Sequence, residues 1–348
     1  MQWATEISIG QVEIGAALPC YVIAAIALPP NATLEQAIAF LDAAHKAGAD
    51  AARFPLFSPE FLAAKRIVNE KGRLVHNRQY DLLEQLAMPL EWLPALWKRA
   101  EKIGIELLIT PYDIERLAAW VEIGGRAIRL TSGDLTYAQI IRAAAASGVP
   151  MLLACGMSDE QEVATALRII DDAGGSQVAL LHSVTSNPLA DEEMNLRVIP
   201  ALQARFQLPV GFSDHSEGWV AAMGAVALGA CILEKNLTLE HIVTAPGEPH
   251  AVTPGDFARM VLRIRRMEKM LGSGVKAPSS GEMEKRARLR RSIFAARPLK
   301  AGMVLTHDDL KVVRPERGLP PAAMTGMLGK TLVRDLKEDD IILRRDVQ

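Results

Sequence analysis

The chain has 348 residues, 49% of them apolar, and a formal net charge of -2. That length is enough for a barrel-sized domain plus a smaller one, at roughly 100 to 200 residues per domain. The near-neutral balance gives no reason to expect nucleic acid or an anionic membrane surface as a partner, and no charge-free apolar stretch reaches the roughly 18 residues of a membrane span.

Cys20, Cys155 and Cys231 form neither an even disulfide set nor a metal-type spacing, which fits a reducing cytoplasm. Met1-Gln-Trp-Ala-Thr-Glu6 lacks a basic region followed by an apolar run, so no secretory signal is expected and the expected location is cytoplasmic.

Along residues 21–271, short apolar runs alternate with amphipathic stretches, the pattern of parallel strands joined by crossover helices. Strands are expected at 21–27, 51–54, 106–110, 127–130, 150–154, 177–181, 209–212 and 231–234. Helices are expected at 34–47, 90–103, 114–122, 138–147, 160–173, 196–206, 219–228 and 254–271. Several of them end in Ala-Gly, Ile-Gly, Ser-Gly or Leu-Gly, where a left-handed glycine closes the helix. Eight such units match a (β/α)8 TIM barrel. An open doubly wound sheet is the alternative, but no G-x-G-x-x-G loop follows the first strand.

Barrel enzymes place their chemistry at the C-terminal ends of the strands. Here those exits carry residues 25–28, Arg53, Thr110, Arg129 with Ser132, Ala154 with Cys155, His182, the Ser213-Asp214-His215 run and Glu234 with Asn236. An arginine inside a barrel mouth is costly unless it meets an anion. Arg53 and Arg129, with hydroxyls from Thr110, Ser132 and Ser213, would make a pocket for a phosphate or carboxylate. Equally, the two arginines can pair with barrel carboxylates such as Glu106, Asp134 or Glu234. Lys235 is the one exit lysine that could form a Schiff base, but strand alternation sets it on the face opposite Glu234 and Asn236.

Beyond Leu271 the character changes. Gly272-Ser-Gly-Val-Lys-Ala-Pro-Ser-Ser-Gly281 is a flexible connector, and residues 282–291 form a charged helical segment with Lys285, Arg286, Arg288, Arg290 and Arg291, expected to be a solvated face. The expected organisation is a barrel domain over 1–271, linker and charged helix over 272–291, and a small β-rich domain over 292–348. Strands within the last are expected at 292–296, 312–314 and 331–333, among many glycines and prolines and with little core of its own.

The motifs Ala47-Gly-Ala-Asp-Ala51, Thr110-Pro-Tyr-Asp113, Ser132-Gly-Asp-Leu135, Gly156-Met157, Leu180-Leu-His182, Asn195-Leu-Arg-Val-Ile-Pro200, Gly211-Phe-Ser-Asp-His215 and Glu234-Lys235 resemble those of the sialic acid synthase (NeuB-like) family. Arg290-Arg-Ser292 and Arg314-Pro315 extend the resemblance into a tail similar to the family's SAF, or antifreeze-like, domain. The resemblance implies a TIM barrel followed by a SAF domain, and a transferase that condenses phosphoenolpyruvate with an amino sugar or related aldehyde to give a nonulosonic acid. It implies catalytic roles for Asp214, His215 and Glu234, and binding of the phosphoenolpyruvate anion by Arg53, Thr110, Arg129, Ser132 and Ser213. It also implies a sugar contact from Arg314, delivered by a tail that crosses to the partner barrel of a swapped homodimer.

Several positions depart from the family's pattern. The family binds a divalent metal, manganese or magnesium, through two histidines; the corresponding positions here are His215 and Asn236, and an amide oxygen is the weaker ligand. The family's glutamate on the first strand is Ala25 in Ala24-Ala-Ile-Ala-Leu-Pro-Pro-Asn-Ala32, and its two phosphate-gripping lysines are Arg53 and Arg129. A serine of the fifth strand is Ala154, and a tyrosine-proline pair after the sixth is Asn187-Pro188. The expected function is therefore a synthase-like enzyme of altered specificity or low activity. The alternative is a catalytically inactive binding or structural protein that keeps an anion- or sugar-binding pocket.

Overall fold

The computed structural model describes residues 3–186, 189–239 and 250–348. They divide into two compact units, Met1–Gly272 and Ser273–Gln348. Among them, no helix is long and apolar enough to cross a membrane.

The first unit is built on eight strands: β1 (Tyr21–Ile26), β2 (Ala51–Leu56), β3 (Glu106–Pro111), β4 (Ile128–Leu130), β5 (Met151–Ala154), β6 (Val178–Ser183), β7 (Val210–Asp214) and β8 (Ile232–Leu237). All neighbours are parallel, and β8 pairs with β1 to close the barrel. The eight helices between and after them lie within a residue or two of their expected bounds, Pro254–Leu271 among them. The exception at an N-terminus is the segment from 90, which starts as a 3-10 turn, Leu90–Trp92, because Pro94 fits only the first turn of the α-helix Leu93–Ile103. Capping boxes at Thr33 and Asp159 start two of the helices, and left-handed Gly104 ends another.

Two faces of each strand do different work. Outward side chains pack under the helices, while inward ones form a separate apolar cluster that includes Tyr21, Ile23, Ala51, Leu108, Ala127 and Ile232. Because side chains alternate along a strand, the same inward rows continue upward to Ala25, Arg53, Thr110, Arg129, Ser213, Glu234 and Asn236. Gly211, one inward step below Ser213, is required by close approach: a Cβ there would fall 2.6 Å from both Ile232 Cβ and its carbonyl oxygen. The inward charged residues Arg53, Arg129 and Glu234 stand at the C-terminal end of the barrel, and Glu106 at its N-terminal end.

The N-terminal end is closed by a feature that composition and spacing did not disclose. Residues Glu6–Ile9 and Val12–Gly15 form an antiparallel hairpin whose Ile7, Ile9 and Ile14 join the inward cluster. A second unforeseen insertion follows β2: a short helix Pro59–Leu62, a hairpin of Arg66–Val68 with Leu74–His76, and a helix Arg78–Leu86.

The second unit has a core of its own, contrary to expectation, formed by Ile293, Ala295, Leu299, Leu305, Leu310, Met327, Leu332, Leu336 and Ile342. Ser292–Ala295 pairs with Leu310–Val313, whereas the strand expected at 331–333 is reduced to isolated bridges, Thr331 to Val304 and Leu332 to Val347. Left-handed Gly302 and Gly329 turn the chain too often there for a longer ladder. The helix Ser280–Leu289 is exposed along its length, with Arg286 and Arg290 turned toward Glu316 of the same unit.

Ile14 is fully buried in the hairpin that stoppers the barrel. Ile14→Ala should cost about 2–5 kcal/mol in a denaturation experiment, while leaving phosphate affinity measured by calorimetry unchanged. Equal loss of both would show that the plug also shapes the site.

Candidate functional site

Glu234 stands at the centre of the barrel mouth, 1% exposed, on the inward face of β8. Its Oε1 accepts hydrogen bonds from Arg129 at 2.7 Å and from Ser213 Oγ at 2.8 Å. Its Oε2 lies 3.4 Å from Arg53 Nε, close enough for an ion pair but without a directed hydrogen bond. The register explains the convergence: Ser213 is the cross-strand partner of Glu234, while Arg53 and Arg129 rise from inward positions of β2 and β4. Of the carboxylates that could pair with these arginines, Glu234 takes both. Glu106 binds Arg126 instead, at 3.1 Å, and Asp134 accepts from Thr131 at 2.7 Å.

Burial by itself would raise the Glu234 pKa, but Arg129 and then Arg53, Ser213 and His215 outweigh it and hold the carboxyl at about 2. The carboxylate is thus ionised throughout the neutral range. Two guanidinium groups face this one carboxylate, which among the described residues gives the triad an excess positive charge in a buried setting. Arg53 Nε, Arg129 Nε and Thr110 Oγ1 are buried there without a hydrogen-bond acceptor or donor from the described residues. Donors of this kind, around excess positive charge, are what a phosphate or carboxylate needs.

The other expected residues are distributed unequally. His215 stands at the edge of the cluster, its Nε2 3.5 Å from Ser213 Oγ and its Nδ1 3.5 Å from Asn236 Nδ2. Ser132 lies in the 3-10 turn after β4, where its Oγ accepts from the Gly156 N–H at 3.0 Å and joins two loops rather than touching the cluster. Asp214 requires correction. It points to the outer face of β7, where Lys235 Nζ donates to its Oδ2 at 3.0 Å and Ser216 N and Oγ donate to its Oδ1. Strand alternation turns Asp214 and Lys235 away from the pocket together, and Lys235 also donates to the Ser216 carbonyl with its side chain fully buried. Both side chains are thus taken up by each other and by Ser216 on the outer side of the barrel wall, which is where alternation put Lys235 and not where Asp214 was expected. Arg314 belongs to the second unit and is exposed there. Asn187 and Pro188 lie outside the described residues.

Among the described residues, His215 and Asn236 make a partial ligand set for a divalent metal, one that waters or substrate oxygens would complete. The two residues supply one imidazole and one neutral amide, and the described residues contain no group of three His, Cys, Asp or Glu side chains able to hold an ion. A transition-metal site takes four or more ligands, and hard cations take six or more.

One functional feature had no signal in local sequence. Beside Arg53 and Asn236 opens a cavity of about 190 Å³, bounded by the end of β1, the insertion after β2, and Tyr112. Phe57 and Tyr112 meet edge to face across it, 5.7 Å between ring centres. Its walls come from residues more than eighty positions apart, so only the fold brings them together.

The chain as a whole is similar to known proteins. The model described as the NeuB family matches residues 40–276, and that described as the SAF domain matches residues 290–348. An uncharacterised protein of Methanocaldococcus jannaschii is 34% identical over 342 residues, covering 98% of each chain. The N,N'-diacetyllegionaminic acid synthase of Legionella pneumophila is 30% identical over 344 residues, covering 96% of each. The crystal structure of the N-acetylneuraminic acid synthetase from Leptospira borgpetersenii, in complex with citrate, superposes with a TM-score of 0.73 at 28% identity, over 82% of this chain and 96% of that one.

Replacing Glu234 by Gln leaves two buried guanidinium groups without their counter-charge, which should cost about 3–5 kcal/mol. Phosphate should restore the melting temperature of Glu234→Gln far more than it raises that of the parent. The linkage sign follows from the lowered pKa: the stabilisation is complete above the carboxyl's unfolded value near 4.3 and is lost as pH falls toward about 2. Glu234→Gln should therefore show a shallower loss of stability between pH 5 and 2, measured by denaturant titration.

Proposed function

The chain belongs to the NeuB family, whose model spans residues 40–276, and on that premise we propose that its barrel condenses phosphoenolpyruvate with an aldehyde. It would be a nonulosonic acid synthase-like enzyme of altered acceptor specificity and low turnover. The observation that carries this reading is the excess positive charge at Arg53 and Arg129, with the buried, unpaired Thr110 hydroxyl beside them.

In the proposed reaction, C3 of phosphoenolpyruvate attacks the aldehyde carbon, whose oxygen takes up a proton. Positive charge develops at C2, water adds there and loses its proton, and departure of phosphate leaves a 2-oxo acid. Arg53, with its looser hold on Glu234, turns to the anion first, and Arg129 with Ser213 supports it. Glu234 acts through charge. A carboxyl held at about 2 is a poor proton acceptor at neutral pH, but a fixed carboxylate stabilises the cationic character of C2. Ala25 cannot move a proton, and His215, with Nε2 3.5 Å from Ser213 Oγ, is among the described residues a group of the type that serves as general base. A divalent metal held by His215 and Asn236, with waters or substrate oxygens completing its shell, would polarise the aldehyde oxygen.

One feature favours a second reading, a binding protein without turnover. Glu234 already occupies the space between the two arginines and must be outcompeted by the incoming anion. In either reading, Arg314 of the tail is proposed to reach the acceptor in a partner's barrel, which makes the working unit a swapped homodimer.

Phosphate release from phosphoenolpyruvate, followed over a panel of aldehydes, separates the two readings. The synthase reading expects release with at least one aldehyde and a loss of roughly 10²–10³-fold in kcat for Arg129→Ala, the size seen when one charge-stabilising donor is removed. Binding without release with any aldehyde would establish the binding protein instead. Arg314→Ala should raise KM for the acceptor and leave phosphoenolpyruvate affinity unchanged; an equal effect on both would remove Arg314 from the acceptor site.

A further inference from the structure

The cavity beside Arg53 has walls unlike those required by a polyhydroxylated sugar. Leu28 and Phe57 are buried in its floor, and Leu62, Leu83 and Leu86 reach in from the insertion after β2, each only half-buried by the rest of the chain. Half-buried leucines that line a half-open pocket keep apolar surface in reserve for a ligand. Pro55, which lines the cavity, brings no N–H to it.

The residues with polar side chains in its lining are Arg53, Tyr112 and Asn236. A sugar stripped of water needs a partner for nearly every hydroxyl, and each one left unpaired lowers affinity. An apolar body needs none and gains from leaving water. The volume of about 190 Å³ compares with the roughly 150 Å³ at which an apolar cavity accepts benzene, so a compact group of six to eight heavy atoms is the right size.

We propose that this cavity is the acceptor subsite and that it takes an aldehyde with a compact apolar body, its polar end toward Arg53 and Asn236. The proposal rests on the synthase reading for its chemistry, since the aldehyde is the partner of phosphoenolpyruvate in the condensation. Pocket composition then sets specificity: the hydroxyls of an amino sugar meet leucine, phenylalanine and proline, whereas a branched aliphatic or aromatic aldehyde fits.

Two measurements on the full-length protein test it. In calorimetric titrations, benzyl alcohol, an unreactive probe of the cavity, should bind at least tenfold tighter than xylitol. Leu62→Asn and Leu86→Asn should each weaken benzyl alcohol about fivefold or more while leaving phosphate affinity unchanged. Two sites are chosen so that one poorly folded variant does not decide the result. In phosphate-release assays with phosphoenolpyruvate, benzaldehyde and 3-methylbutanal should support turnover better than N-acetylmannosamine. If N-acetylmannosamine supports release and the apolar aldehydes do not, the subsite proposal is overturned and the synthase reading stands. If benzyl alcohol binds in a Leu62- and Leu86-dependent manner but no aldehyde releases phosphate, the apolar pocket stands and the synthase reading falls. Equal or tighter binding of xylitol overturns the apolar assignment outright.

Discussion

The ion triad of Arg53, Glu234 and Arg129 is the constraint around which the upper barrel is arranged. Two cations and one anion in a water-poor interior are tolerable only if their geometry is fixed, because the desolvation of each charge is offset by partners at short range and by little else. The barrel supplies that fixity. Three strands deliver the charged groups, and Ser213 completes the hydrogen bonding of the carboxylate. Below the triad, inward apolar residues and the N-terminal hairpin keep water out, which strengthens every electrostatic contact above them. The uneven hold, 2.7 Å to Arg129 against 3.4 Å to Arg53, divides the work between a structural cation and a receptive one.

A second charged pair gives the triad its counterpart on the other side of the wall. Asp214 and Lys235 are cross-strand partners on β7 and β8, both fully buried, and they join outside the barrel while Ser213 and Glu234 join inside it. A one-residue step along the same strand pair thus yields the inner cluster and the outer clasp. The clasp carries no excess charge and exposes no surface, whereas the triad does carry excess charge and opens onto a cavity. That difference, rather than the presence of ionisable groups, distinguishes a binding site from a structural ion pair.

What could be read from the sequence divides along the same physical line. The eight strands and the convergence of Arg53, Thr110, Arg129, Ser213 and Glu234 were legible because strand ends and alternation are local properties. So was the displacement of Lys235 from the pocket; the same alternation, applied one residue earlier, would have removed Asp214 too, but membership in a reactive-looking tripeptide hid it. The choice among Glu106, Asp134 and Glu234 as partner of the arginines was not legible, since it depends on register around a closed barrel. The plugging hairpin escaped notice because four-residue strands carry little pattern. The apolar cavity escaped for a stronger reason: Leu28, Phe57, Leu83 and Tyr112 belong to four different segments, and no window along the chain contains them together.

The departures from the family's pattern are physically coupled and need not be counted as independent losses. Ala25 is the cross-strand partner of both Arg53 and Asn236, so whatever stands at position 25 lies beside the looser of the two arginines. A glutamate there, with Glu234 already engaged, would give two carboxylates to two guanidinium groups and cancel the excess charge that attracts an anion. Alanine preserves it. The methyl group also leaves room for a guanidinium, which is longer and broader than an ammonium and needs planar space for its fork. Loss of the carboxylate at position 25, arginine at 53 and 129, and an amide at 236 therefore form one consistent arrangement, in which one proton-transfer group and one metal-binding imidazole are given up while anion attraction is kept. Across these four positions one negative charge is lost and both positive charges are kept, which raises the net positive charge of the barrel mouth relative to the family's pattern.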